Sequence, residues 1–211
     1  MFDFIDKVVY INLERRTDRR EHMEKITSVF GHKVIRFLAI EHNPGNIGCT
    51  MSHVAVLKMA LDQKWKNVLI LEDDVEWNRF DQGYNILQTL TMNSYDVILL
   101  GGGSIHFDSK TYKLHSSQTT TAYLVNGHYI TTLLENFEYG LKGLIETNNP
   151  WEYAIDMQWK KLQASDNWFI VSPSLVYQIP NYSDIEGRHV DYRDGMNLGS
   201  DPVLLPFLKR H

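Results

Sequence analysis

Short runs of consecutive apolar residues alternate with amphipathic stretches over the first half of the chain. The runs are rich in β-branched residues and too short for helices, which predicts buried strands at 8–13, 33–39, 68–71 and 96–100. Apolar side chains at helical spacing predict helices at 18–30, 47–62 and 80–92. Asp18 and Glu21 have the spacing of a capping box at the first helix, and Gly101 to Gly103 are expected to close the last strand.

The alternation of strands and helices indicates an α/β protein. Strands that are apolar on both faces are typical of a mostly parallel central sheet with helices on both faces. In such sheets a ligand binds outside the carboxyl ends of the strands. The acidic triplet formed by Glu72, Asp73 and Asp74 follows the strand at 68–71 directly, so we expect it at that edge.

The second half has a looser pattern. It predicts a hairpin or excursion at 106–117, a strand at 120–125, helices at 127–139 and 151–162, short strands at 168–171 and 175–178, and an irregular tail. No repeat, low-complexity segment or Pro/Gly-rich linker divides the chain, so we expect one domain over 1–211.

Composition narrows the class of protein. The 211 residues carry 26 acidic and 21 basic side chains, a net charge of −5, and no basic block, which argues against nucleic-acid binding. No apolar run is long enough to span a bilayer, and Asp3 and Asp6 make the N-terminus unlike a signal peptide. The single cysteine, Cys49, excludes an intrachain disulfide and fits a reducing compartment.

The acidic triplet is the sharpest chemical feature. Adjacent carboxylates repel one another unless solvent or a cation relieves them, and Mg²⁺ or Mn²⁺ prefers such oxygen ligands. Because side chains alternate along an extended strand, Glu72 and Asp74 should point one way and Asp73 the other. A solvated turn that caps the next segment is the alternative reading.

Two further segments could bind an anionic ligand. Asn12 ends the first strand, and the arginines that follow it, among them Arg15 and Arg19, suit phosphate recognition near a helix N-terminus. Ser52 and His53 lie in the first turns of the helix at 47–62, after Gly48 and Cys49. The alternatives are a solvated arginine face and ordinary helix packing.

Two residues of the second half are candidates for catalysis or metal binding. Asp156 lies at the edge of an apolar, aromatic stripe, where a raised pKa would suit a general base. His189, in the polar tail, is a candidate late metal ligand. A solvated helix carboxylate and an irregular polar tail are the alternatives. The motifs of Rossmann dehydrogenases, P-loop NTPases, zinc proteases and α/β-hydrolases are absent from the sequence.

Taken in order, these segments resemble glycosyltransferase family 25. The resemblance rests on Val9-Tyr10-Ile11-Asn12-Leu13 with the arginines after it, Gly48-Cys49-x-x-Ser52-His53, Leu71-Glu72-Asp73-Asp74-Val75 and the DVILLGG stretch at 96–102. The family includes bacterial lipooligosaccharide β-galactosyltransferases and procollagen galactosyltransferases. Downstream, only Thr121-Ala122-Tyr123 and the helix of Asp156 are similar.

The resemblance implies a GT-A-type nucleotide-sugar fold and inverting transfer of a sugar, usually galactose, from a UDP-sugar to a glycan or protein-linked hydroxyl. Residues 1–104 would bind the donor and 105–211 the acceptor. Asp74 would be the main ligand of Mn²⁺ or Mg²⁺, with Glu72 or Asp73 reaching the ribose or a metal-bound water. Asn12, Arg15, Arg19, Ser52 and His53 would form the uridine and diphosphate pocket. Asp156 would be the general base, with Glu152 and Asp184 as alternatives.

Two other functions remain open. One is a non-catalytic module of the same fold that binds a glycan or a protein partner, and the other is a metal-dependent phosphohydrolase. The length of 211 residues and the N-terminus favour a cytoplasmic enzyme of bacterial or viral origin, either free or peripheral to a membrane that carries the acceptor. The sequence indicates no oligomeric state.

Overall fold

The computed structural model describes residues 2–198 of the chain. Its strands are β1 (Lys7–Asn12), β2 (Val34–Leu38), β3 (Asn67–Glu72), β4 (Val75–Trp77), β5 (Val97–Phe107), β6 (Leu114–Asn126), β7 (Trp168–Ile170), β8 (Val176–Gln178), β9 (Asn181–Ser183) and β10 (Arg188–Val190). Its α-helices are α1 (Thr17–Ile26), α2 (Gly45–Asp62), α3 (Phe80–Thr91), α4 (Ile130–Thr147), α5 (Pro150–Tyr153), α6 (Ile155–Gln158) and α7 (Lys160–Ser165). Short 3₁₀ helices cover Thr27–Lys33, Gly127–Tyr129 and Arg193–Gly195.

A central sheet of six strands has the order β2-β1-β3-β6-β5-β7. The pairs β1–β2, β1–β3 and β5–β7 are parallel, whereas β6 runs antiparallel to both of its neighbours. The predicted α/β class with a mostly parallel central sheet is therefore confirmed. Two two-stranded ladders, β4–β8 and β9–β10, lie beside this sheet.

The core occupies both faces of the sheet because successive strand side chains point to opposite sides. On one face Val9 and Ile70 pack with apolar residues of α2 and α4 and with Trp159. On the other face Val8 and Leu69 pack with apolar residues of α1 and α3. Among residues 2–198, no helix combines the length and the apolar character needed to cross a membrane.

Four local predictions were wrong. Helix α1 begins at Thr17 without a capping side chain, and Asp18 forms an ion pair with Arg16 instead of a capping box. The glycines at 101–103 do not close β5, which continues to Phe107. They permit close packing instead, because a Cβ at Gly101 would collide with the carbonyl oxygen of Val176.

The third difference concerns the helix predicted at 151–162, which is divided into α5, α6 and α7. The break between α5 and α6 falls at Ala154, whose extended backbone has a ψ of 146°. Asp156 consequently lies in the first turn of a new short helix. The tail, predicted to be irregular, contains the β9–β10 hairpin within the described residues.

The acidic triplet lies at the carboxyl edge of the sheet. Strand β3 ends at Glu72, beside the end of its parallel neighbour β1. After the triplet, β4 pairs with β8 in a register that places Val75 opposite Gln178. The chain thus brings β1, β3 and β8 together around three consecutive carboxylates.

Candidate active site

A cleft of about 800 Å³ lies at this edge. The carboxyl ends of β1 and β3 and the first turns of α2 form part of its wall, and α6 and the β9–β10 segment form another part. The lining side chains that can carry chemistry are Arg15, Arg19, Cys49, Ser52, His53, Glu72, Asp73, Asp74, Asp156 and Gln178. Most of the sequence-predicted site residues therefore meet in one cavity.

Glu72 ends β3, whereas Asp73 and Asp74 lie in the turn between β3 and β4. Glu72 and Asp74 share one donor, because the Nε2 of Gln178 lies 2.9 Å from Glu72 Oε2 and 3.3 Å from Asp74 Oδ1. The other oxygen of Glu72, Oε1, accepts a hydrogen bond from the hydroxyl of Thr120 at 2.5 Å. Sequence reasoning missed Gln178 and Thr120 because they belong to distant strands and to no recognisable motif.

Asp73 lines the same cleft but is held in a buried polar network of its own. Its Oδ1 accepts from Arg19 Nη1 at 2.6 Å, and its Oδ2 accepts from Asn12 Nδ2 at 2.8 Å. Both Asp73 and Arg19 are only 8% exposed. The same Arg19 nitrogen lies 3.3 Å from Asp74 Oδ2, so one guanidinium serves two carboxylates.

Asn12 does not reach the cleft. Its side chain is fully buried, donating to Asp73 and accepting from Arg36 Nε at 3.0 Å. The structure therefore places Asn12 behind the acidic triplet, where it holds Asp73, and not where a uracil edge could bind. The side-chain amide of Asn12 does form hydrogen bonds, as expected, but its partners Asp73 and Arg36 belong to the protein itself.

The cluster has more negative than positive charge. Burial, followed by the charge of Asp74, raises the pKa of Glu72. Burial also raises the pKa of Asp74, and the nearby Arg19 offsets only part of that increase. Two of the three carboxylates share the buried Arg19 guanidinium and Glu72 has only uncharged donors, a balance that a divalent cation would improve.

Ser52 and His53 form part of the cleft floor. Ser52 Oγ donates to the carbonyl of Gly48 at 2.7 Å and accepts from the amide of Ile40 at 2.8 Å, so it fixes the backbone. His53 Nδ1 lies 2.7 Å from the hydroxyl of Tyr123. Burial lowers the pKa of His53 to about 3, which keeps the imidazole neutral.

The arginines after β1 hold the C-terminal segment against the cleft. Arg15 and Arg16 each contact a different carboxylate oxygen of Asp184, at 2.8 and 2.7 Å. Arg19 also donates to the carbonyl of Tyr182 at 2.9 Å. Burial alone would raise the pKa of Asp184, but hydrogen bonds from Arg16 and Arg15 lower it, which makes Asp184 a poor base.

The remaining candidates lie in different places. Asp156 lines the cleft from α6, and its Oδ2 accepts a hydrogen bond from the amide of Thr119 at 3.1 Å. Glu152 is exposed and is not among the lining residues. His189 is exposed on β10, where its ring lies 5.7 Å from that of Tyr182, and the structure does not bring it to the acidic triplet.

The fold is that of a GT-A-type protein. The chain superimposes on the crystal structure of a glycosyltransferase involved in the glycosylation of the major capsid of PBCV-1 with a TM-score of 0.50. The superposition covers 85% of this chain and 95% of that one, at 12% sequence identity. This likeness shows the fold alone, and it confirms the predicted fold class.

Sequence comparison identifies the family that the chain resembles. Residues 41–129 match the model of glycosyltransferase family 25 (LPS biosynthesis protein). A glycosyltransferase 25 family member of Drosophila melanogaster is 30% identical over 128 residues, which cover 46% of this chain and 21% of the fly protein. Human procollagen galactosyltransferase 2 is 26% identical over 149 residues, 57% of this chain and 23% of its own. The resemblance to glycosyltransferase family 25 is thereby confirmed, and the chain matches less than a quarter of either relative.

Replacing Arg19 tests the buried network. Arg19→Met should lower the free energy of unfolding by about 3–5 kcal/mol, because it leaves buried carboxylates without their cation. Arg20→Met is the matched control, since Arg20 is exposed and, within residues 2–198, forms its ion pair with Glu24 one turn on; it should leave the free energy of unfolding nearly unchanged because solvent screens such a pair. Urea denaturation measures both, and equal losses would contradict the network's role.

Proposed function

We propose that the chain is a metal-dependent glycosyltransferase that moves a sugar from a UDP-sugar to a glycan or protein-linked hydroxyl with inversion. The observation that carries the proposal is the pairing of Glu72 and Asp74 on one donor, Gln178, in a roomy cleft at the end of β3. The match to family 25 supports the reaction class. The name of the human relative supports galactose as the sugar.

The donor atoms of the cleft fit a hard divalent cation. Carboxylate oxygens of Asp74 and Glu72 are the ligands that Mn²⁺ and Mg²⁺ prefer. Gln178 Oε1 is buried next to them and has no hydrogen-bond partner among the described residues, so it is a further oxygen available at the site. When bound, the cation would supply neutralising charge to the diphosphate leaving group.

The donor would lie along the arginine side of the cleft. Arg15 is half exposed at the rim and could exchange its ion pairs with Asp184 and Glu41 for a phosphate. Arg19, which contacts Asp73 and Asp74, would keep the triplet in place while adding positive charge near the diphosphate. Ser52 and His53 would shape the floor beneath the nucleotide.

Asp156 is the proposed general base. One of its oxygens is held by the amide of Thr119, which orients the carboxylate along the cleft wall. Asp156 would accept the proton of the acceptor hydroxyl as that oxygen bonds to the anomeric carbon, while the bond from this carbon to the diphosphate breaks on the opposite face. Attack opposite the leaving group produces inversion.

Calorimetric titration with UDP tests the metal assignment. The unaltered chain should bind UDP far more tightly with Mn²⁺ than without it. Asp74→Asn should weaken the Mn²⁺-dependent binding by more than about 100-fold, because changes to the partners of metal ligands alone cost 10–100-fold. Asp62→Asn, at the exposed end of α2, is the control and should bind normally.

Each outcome of that titration separates the candidate functions. Unchanged Mn²⁺-dependent UDP binding in Asp74→Asn would contradict the role of Asp74. Absence of UDP binding in the unaltered chain would favour the non-catalytic module. Cleavage of simple phosphate esters without a preference for UDP-sugars would favour the phosphohydrolase.

A second variant tests the base. Asp156→Asn should reduce the rate of UDP release from UDP-galactose, with water or a sugar as acceptor, by about 10²–10⁴-fold, the usual contribution of a general base. UDP binding should persist in this variant. Glu152→Gln is the control, because Glu152 lies outside the cleft lining. Loss of UDP binding in Asp156→Asn would instead place Asp156 in the donor pocket, and unchanged turnover would exclude it as the base.

A further inference from the structure

Three side chains of unlike chemistry converge on the floor of the cleft. Helix α2 carries Cys49 and His53 four residues apart, on one face, and the end of β3 brings Glu72 against them. One ligand atom from each of the three lies within 4.8 Å of the other two. The proposed sugar transfer assigns no role to the thiol of Cys49.

The imidazole of His53 is oriented towards this convergence. Its Nδ1 is engaged with the hydroxyl of Tyr123, which leaves Nε2 facing Glu72 Oε1 at 3.9 Å, too far for a hydrogen bond. Metal-binding histidines commonly have their second ring nitrogen held by such a partner. His53 is 1% exposed and neutral, the form in which imidazole coordinates a metal.

We propose that Cys49, His53 and Glu72 form a three-ligand site for a thiophilic divalent cation of the zinc class. A sulfur, a nitrogen and a carboxylate oxygen suit Zn²⁺ and not Mg²⁺ or Mn²⁺, which take oxygen ligands. Zinc–sulfur and zinc–nitrogen bonds of about 2.3 and 2.0 Å place the two ligand atoms about 3.5 Å apart across a tetrahedral centre. The side chains therefore need only small movements to close on the ion.

The site opens to solvent through the cleft. Cys49 and His53 both line the cavity, so an ion can reach them from the cleft. Coordination forms a metal–sulfur bond and breaks the S–H bond of Cys49, with the proton released to water. Burial, followed by the charges of Glu72, Asp156, Asp73 and Asp74, raises the pKa of the Cys49 thiol, so the cation must displace the thiol proton when it binds.

The two oxygens of Glu72 face different neighbours. Oε1 is directed to His53 and Thr120, whereas Oε2 accepts from Gln178 beside Asp74. A thiophilic cation would bind Oε1 of Glu72, whereas the cation of the proposed sugar transfer would bind Oε2 of the same carboxylate. Zinc-class ions would therefore compete with Mn²⁺ at Glu72, although the site itself does not depend on the proposed function.

Cobalt spectroscopy tests the site directly. Co²⁺ added to the metal-free, unaltered chain in a thiol-free reductant should produce a thiolate-to-cobalt charge-transfer band that saturates at one equivalent. Because the chain has a single cysteine, that band can arise only from Cys49. Zn²⁺ should abolish the band by displacement.

Variants assign the remaining ligands. Cys49→Ser should remove the band, and His53→Gln should weaken Co²⁺ binding by at least about tenfold. His42→Gln is the matched control, because His42 lines the same cleft without belonging to the three-ligand group, and it should leave the band unchanged.

Either of two results would overturn the proposal, and the first needs only the unaltered chain. Absence of a thiolate charge-transfer band with both Co²⁺ and Cd²⁺ would exclude the site, even if Co²⁺ binds through histidines elsewhere. A band that persists in Cys49→Ser would do the same. Either result is independent of UDP binding and therefore separate from the test of the glycosyltransferase.

Discussion

The buried ion pair between Arg19 and Asp73 is the interaction on which the site depends. It joins helix α1 to the end of β3, and Asn12 at the end of β1 completes the hold on the Asp73 carboxylate. Asp73 is fixed in this way, and Glu72 and Asp74 on either side of it both lie within reach of Gln178. Nη2 of Arg19 donates to the carbonyl oxygen of Tyr182, so the same side chain positions the C-terminal segment.

This arrangement leaves the cleft with an excess of negative charge. Arg19 is shared by two carboxylates, and the uncharged donors Gln178 and Thr120 serve Glu72. Carboxylates that are partly buried and close together resist ionisation, and a divalent cation removes that cost. This charge balance, more than any single residue, is what supports the proposed reaction, in which a nucleoside diphosphate would leave.

The sequence was informative where structure is local. The apolar runs of β1, β3 and the first part of β5 predicted the sheet. Glu72 and Asp74 share a donor as the alternation predicted, but Asp73 and Asp74 lie in a turn and both contact Arg19. Neither Gln178 nor Thr120 could be found in this way, because pairing across β4–β8 and β3–β6 brings them to Glu72 from far along the chain. Asn12 is the opposite case: its amide side chain and its place at the end of β1 suggested contact with a ligand, but it is buried and binds Asp73 instead. The glycines at 101–103 predicted the end of β5, but the strand continues through them to Phe107. Gly101 instead allows close packing against the backbone of Val176.

The central claim is that repulsion among these carboxylates is relieved by a cation, and the pH dependence of stability tests it most directly. The pKa of Glu72 is raised above its ordinary value of 4.5 in the folded chain, so the folded state binds more protons there than the unfolded state. The contribution of Glu72 to the free energy of unfolding must therefore fall as the pH rises above 4.5. We would measure unfolding in urea at about pH 5 and about pH 8, with and without Mn²⁺, for the unaltered chain and Glu72→Gln. The account predicts that the unaltered chain loses stability relative to the variant as pH rises, and that Mn²⁺ reverses the loss. An identical pH dependence in both proteins, with no effect of Mn²⁺, would contradict it.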